Sequence, residues 1–236
     1  MISVRYSTMI NKLVVGPMYT NSYIYTDENT GACYLVDPGG DEDKILEALD
    51  RIQTGPGNPR PKGILLTHGH LDHISAVAGL FGRFKEADPG FHLGIHEEDR
   101  DYLGNAAEET HKRSFNHLGI MGSEYFKAYF SEPPEPDILF TDGDTVPESG
   151  LTVILTPGHT PGSICLYNES EKILISGDTL FAGGIGRTDL PGGDTAAIER
   201  SIREKLFALP DDVRVYPGHG PETTLGEEKR SNPFFR

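Results

Sequence analysis

Four times along this chain an apolar, β-type run breaks off into a polar loop that carries histidine or aspartate. The four are GILLT followed by HGHLDH (63–73), TVILT followed by PGHTPG (152–162), KILIS followed by GDTLF (172–181) and VRVY followed by PGHGP (213–221). Sheets of the α/β class present their reactive groups in loops at one edge, where ligands collect. A chain that repeats this pattern is therefore constrained to an architecture in which those loops can meet. The spacings between the four runs are irregular, so this is not a solenoid repeat.

The remaining segments fit the same class. KLVV, NSYIYT and ACYLVD read as short strands separated by the turns GPMYT and DENTG. DEDKILEALDRIQ has helical apolar spacing, with Asp41 placed as a possible N-cap, and it ends in the turn-rich TGPGNPRP. FHLGIH and DILFTDGDTV are two further strand-like runs, and between them residues 97–136 are acidic, aromatic and helical in pattern. This stretch reads as a helical insertion able to roof a site. Residues 194–209 form an amphipathic helix with Asp194 as N-cap and Ile198, Ile202 and Leu206 on one face.

Length and charge narrow the function. The 236 residues are within reach of one domain spanning 1–236, and 36% hydrophobic with 24% charged residues suits a globular chain with a real core. A net charge of −15 and no basic stripe exclude nucleic acid as the expected partner. No run approaches the roughly 20 apolar residues of a membrane span, and the N-terminus lacks a signal-peptide core, so a cytoplasmic protein is expected. Cys33 and Cys165 sit in apolar strand-like runs and read as buried free thiols; two are too few for a cysteine-rich zinc site.

The chemistry lies in the loops. His68, His70 and Asp72 alternate after a strand, so an extended backbone would aim all three the same way, with His73 opening the next helix. Five of the nine histidines (68, 70, 73, 159 and 219) fall in three strand-end loops, and Asp178 falls in a fourth. Burying so many polar groups without compensation would cost several kcal/mol, so a metal or an open cleft must account for them. Neutral imidazoles and carboxylates suit zinc, iron or manganese.

THGHLDH, TPGHTPGS, SGDTLF and YPGHG in this order resemble the successive motifs of the metallo-β-lactamase superfamily, and most closely its glyoxalase II (hydroxyacylglutathione hydrolase) group in the short form. TNSY (20–23), VDPGG (36–40), GRTDLPGGD (186–194) and the terminal GPETTLGEEKRSNPF extend the likeness over nearly the whole chain outside the insertion. The resemblance implies a four-layer αββα sandwich with two divalent metal ions, zinc first, iron or manganese also compatible. His68, His70 and His159 would hold one ion, Asp72, His73 and His219 the other, and Asp178 would bridge them. Asp37 reads as a carboxylate supporting the ligands.

The implied activity is hydrolysis of a small-molecule thioester, S-D-lactoylglutathione or a related hydroxyacyl thioester, by a metal-bridging hydroxide that Asp72 helps to orient. A thiol of pKa about 8.5 leaves without a strong general acid, which suits such a site. Alternatives within the superfamily are a mononuclear-iron persulfide dioxygenase and a lactone or other ester hydrolase. Arg187, in the glycine-rich FAGGIGRTDLPGG, either binds a substrate carboxylate or pairs with Asp189. Tyr23, His111 and His117 read as packing or surface residues. Oligomeric state is not legible.

Overall fold

The computed structural model describes residues 9–53 and 59–236. Strands β1 (Met9–Val15), β2 (Thr20–Thr26) and β3 (Ala32–Val36) form an antiparallel meander. Strands β4 (Arg60–Leu65), β5 (His92–His96) and β6 (Ile138–Phe140) then add in parallel, completing a six-stranded sheet in sequence order. The second sheet holds β7 (Thr152–Leu155), β8 (Ile164–Asn168), β9 (Ile173–Gly177), β12 (Arg214–Pro217) and β13 (Thr223–Thr224) in the order β13-β12-β9-β8-β7. Between them in sequence, β10 (Leu180–Phe181) and β11 (Gly184–Ile185) make a small separate hairpin.

Period-two alternation sorts each strand's side chains into two cores. In β2, Ile24 faces outward to meet Ile45 and Leu49 of α1 (Glu42–Gln53) and Val77 and Leu80 of α3 (Val77–Ala87), while Tyr23 and Tyr25 face the other sheet. In β9, Ile173 and Ile175 meet that inter-sheet core, whereas Leu174 turns to Ile198, Ile202 and Leu206. Helix cover on both outer faces explains why β2, β3, β8 and β9 are buried along their whole length. The result is the αββα sandwich.

The helix expected at 194–209 appears as α6 (Thr195–Arg200), capped by the Asp194 carboxylate accepting from the Ala197 N–H at 2.9 Å, and it continues as a π-helical turn over Ser201–Leu206. Asp41 directly precedes α1, yet its carboxylate accepts from the Gly16 N–H at 3.1 Å and so ties the helix to the β1–β2 turn. Of the turn-rich stretch read after α1, residues 54–58 lie outside the described residues. DILFTDGDTV yields only a three-residue strand, because the Asp144 carboxylate accepts from both the N–H and the hydroxyl of Thr141 and closes a tight turn at Gly143, where φ is +88°.

Residues 97–130 form short 3₁₀ turns, then α4 (Ala107–His117) and α5 (Gly119–Tyr129), two helices in contact with Phe115 stacked on Tyr125. Cys33 and Cys165 are both buried and unpaired. Among the described residues, no helix is long and apolar enough to cross a membrane.

Candidate metal centre

Parallel pairing brings the loops together. Leu65 of β4 pairs with Val36 of β3, so Asp37 lies beside the chain entering Thr67 and His68. Pro217 of β12 pairs with Gly177 of β9, which sets Asp178 next to Gly218 and His219. The loop carrying His159 joins β7 to β8, and the Ile164 N–H donates to the Thr67 carbonyl, tying the second sheet to the first sheet's histidine loop. All seven residues singled out above thus converge at one end of the sandwich.

The local backbone differs from the extended run expected at 68–72. The strand ends at Leu65 and the backbone bends at Thr67 and His68; His70 is extended (φ −66°, ψ 145°), and α2 (Leu71–Ile74) begins immediately, closed by the His73 N–H donating to the His70 carbonyl at 2.9 Å. Asp72 therefore reaches the cluster from the first helical turn beside His73, not from a strand. Helix formation stops after Ile74 and resumes at Val77, so the expected single helix is two.

Hydrogen bonds assign the imidazole tautomers. His159 Nδ1 donates to the Arg187 carbonyl at 2.8 Å, leaving Nε2 as a lone pair. The Thr67 hydroxyl spends its proton on Asp37 at 2.6 Å and so accepts from His68 Nδ1 at 3.1 Å, leaving His68 Nε2 as a lone pair too. These two lone pairs face one another at 3.2 Å, and His70 Nδ1 stands 2.8 Å from the same His159 nitrogen. Burial and the surrounding imidazoles hold His68 and His70 well below the usual histidine range, and burial lowers His159 as well. Neutral nitrogens converging on one point are what a cation requires.

The second half of the cluster is richer in charge. His73 Nε2 lies 3.4 Å from Asp178, 3.6 Å from Asp72 and 3.4 Å from His219 Nε2. His219 Nε2 is 3.3 Å from Asp72 and 3.6 Å from Asp178, and Asp178 also stands 3.6 Å from His159 Nε2. Asp178 therefore touches both halves, and its Oδ1 is buried without a hydrogen-bond partner. Burial would drive His73 neutral, but Asp178, Asp72 and Asp37 push its imidazolium up to about 10, while His73 and His219 hold Asp72 well below the carboxylate range. His219, lowered by burial, is raised overall by Asp72 and Asp178. The residues fit a cation pair: His68, His70 and His159 form one potential ligand group and Asp72, His73 and His219 another.

Asp37 also lies within reach of His68 and His73. Its oxygens, however, already accept from the Thr67 N–H (2.8 Å), the Thr67 hydroxyl (2.6 Å) and His73 Nδ1 (3.0 Å), so it orients the ligand residues. Close approach is essential elsewhere: a Cβ on Gly218 would sit 2.2 Å from Asp178 Oδ1 and 2.8 Å from the His73 ring.

Arg187 forms a two-pronged ion pair with Asp189 at 2.7 and 2.8 Å, the local alternative of the two, while still bordering the cavity over the centre. Tyr23 is a core residue whose hydroxyl donates to the Pro217 carbonyl at 2.7 Å. His111 is buried, lines the cavity and bonds the Tyr102 carbonyl; His117 is exposed. Sequence reasoning missed three supports. Asn21 donates to the carbonyls of Pro217 and Gly220, both at 2.9 Å, and holds the His219 loop. The Thr20 hydroxyl lies 3.4 Å from Asp72. Asp99, completely buried, accepts from Gly69 N–H (3.0 Å), Thr160 hydroxyl (2.7 Å) and Gly162 N–H (2.7 Å), and so binds the His68–His70 loop to the His159 loop. Nothing distinguishes Asp99 within the acidic run EEDRD.

Comparison with known proteins identifies the family and the fold. Hydroxyacylglutathione hydrolase GloC of Haemophilus influenzae is 36% identical over 217 residues, covering 91% of each chain. The crystal structure of the BLEG-1 B3 metallo-beta-lactamase superposes with a TM-score of 0.80 at 34% identity, covering 96% of this chain and 99% of that one. TTHA1623, solved in a di-iron-bound form, superposes with a TM-score of 0.75 at 32% identity, covering 95% and 99%. The family model described as the Metallo-beta-lactamase superfamily matches residues 15–219, and the chain belongs to that superfamily.

Proposed function

We propose that this metallo-hydrolase is dinuclear and cleaves thioesters, with S-D-lactoylglutathione the first substrate to test. The observation that carries the reading is Asp178, whose carboxylate reaches His159 in one ligand group and His73 and His219 in the other. His68, His70 and His159 would hold one ion and Asp72, His73 and His219 the second, with Asp178 shared. Divalent cations bound there supply Lewis acidity and bring the pKa of water to about 7. The likeness to GloC and to a di-iron protein supports the reading.

The chain's own groups do the rest. Asp72 is ionised and stands between His219 and the Thr20 hydroxyl, where it would orient the attacking hydroxide, the water's proton having gone to solvent. Asp37 and the Arg187 carbonyl lock His73 and His159 in the tautomers that present Nε2. Attack at the carbonyl carbon breaks the C–S bond, and the sulfur departs as thiolate without a general acid. Purified protein reconstituted with zinc, iron or manganese should release thiol from S-D-lactoylglutathione, with two ions per chain by elemental analysis. Full loading with no turnover on this or any other thioester would overturn the proposal.

A further inference from the structure

The cavity above the centre has about 680 Å³, a size that buries a small organic ligand. Beyond the centre's own residues its wall is mostly hydrocarbon: Met18, Phe115, Leu118, Met121, Phe181 and Leu190 border it, with His111, Ser114, Tyr125 and Arg187 as its polar groups. Three of the apolar six come from the α4–α5 pair, and Met18 comes from the β1–β2 turn opposite. Met18 and Met121 are 53% and 85% exposed, so the mouth carries apolar surface that only an occupant would cover. Methionine adapts to varied apolar shapes, which suits a wall that meets a flexible chain.

Charge points the same way. Among the described residues, the one arginine or lysine on the wall, Arg187, is already held by both oxygens of Asp189. The whole chain carries −15. Glutathione brings two carboxylates, and no unpaired lysine or arginine among the described residues of the wall meets them. Resting on the thioesterase reading above, we infer that the cavity selects a thioester bearing a medium-length hydrocarbon chain on its acyl or its thiol side, in preference to a charged tripeptide thiol.

The test uses the metal-loaded enzyme and two series: acyl thioesters of neutral N-acetylcysteamine from acetyl to decanoyl, and acetyl thioesters of alkyl thiols of the same lengths. In at least one series kcat/KM should rise about fourfold per added methylene over the first carbons and then level off, as burial of each CH₂ group predicts. Met121→Asp and Leu118→Asp should each lower the long-to-short ratio in that series. Flat profiles in both series, or a lactoylglutathione kcat/KM above every chain tested, would overturn the inference. If no thioester at all is hydrolysed, the thioesterase reading fails separately. The cavity is then judged by calorimetry: a decyl thioether of N-acetylcysteamine should bind at least tenfold tighter than the methyl one, and equal binding would overturn the inference.

Discussion

Asp99→Asn separates positioning from stability. The amide keeps the volume but has one acceptor where the carboxylate had two, so either the Gly69 or the Gly162 N–H is left facing an NH₂ group. A stranded buried donor costs about 2 kcal/mol. Against this, burial pushes the Asp99 carboxyl from 3.8 up to about 6 despite its three donors. At roughly 1.4 kcal/mol per pKa unit, keeping it ionised costs about 3 kcal/mol of stability at pH 7.5, a cost the amide removes. The two effects nearly cancel, so urea unfolding of the metal-free variant should lie within about 1–2 kcal/mol of wild type at that pH. Lowering the pH protonates the wild-type carboxyl and stabilises wild type alone, so the variant should become the less stable protein by pH 5. Metal affinity should move differently. Gly69 lies between His68 and His70, and loss of such an outer contact typically lowers affinity about 10–100-fold. Competition with a chromogenic chelator measures it; wild-type affinity in a folded Asp99→Asn protein would refute the positioning role.

Asp178→Ala should lose metal and turnover together, measured by elemental analysis and thiol release; full metal content with a wild-type rate would sink the dinuclear reading. Gly218→Ala forces a methyl to 2.2 Å from Asp178 Oδ1, so affinity should fall at least about tenfold at a stability cost of about 1–3 kcal/mol. His111 is depressed by burial from 6.5 to about 4, so the unfolded chain binds the proton first as pH drops. The His111 contribution to stability should be full above pH 6.5 and fall by about 3 kcal/mol as pH descends through 4, and His111→Gln should flatten that part of the metal-free profile.

The fold and the place of the site were legible because both rest on local patterns. Alternation such as Tyr23-Ile24-Tyr25 and Ile173-Leu174-Ile175 encodes a sheet covered on both faces, and the four strand-end loops carry their histidines and aspartates in plain view. What escaped depends on long-range contacts. Asp99 acts through loops 30 and 63 residues away, and Asn21 across 196, distances at which composition carries no signal. The backbone at Asp72 escaped for a different reason: LDHI supports either an extended or a helical turn, and the bond from His73 N–H to His70 C=O decides it. Likewise, the sequence leaves two readings of Arg187 open, and the ion pair with Asp189 is a matter of side-chain geometry.

The most direct test of the central claim is a metal titration of the metal-free protein followed simultaneously by bound metal and by thiol release from a thioester. The account predicts saturation at two ions per chain, with full activity reached only as the second site fills. Saturation at one ion with full activity, or two ions bound without thiol release, would contradict it.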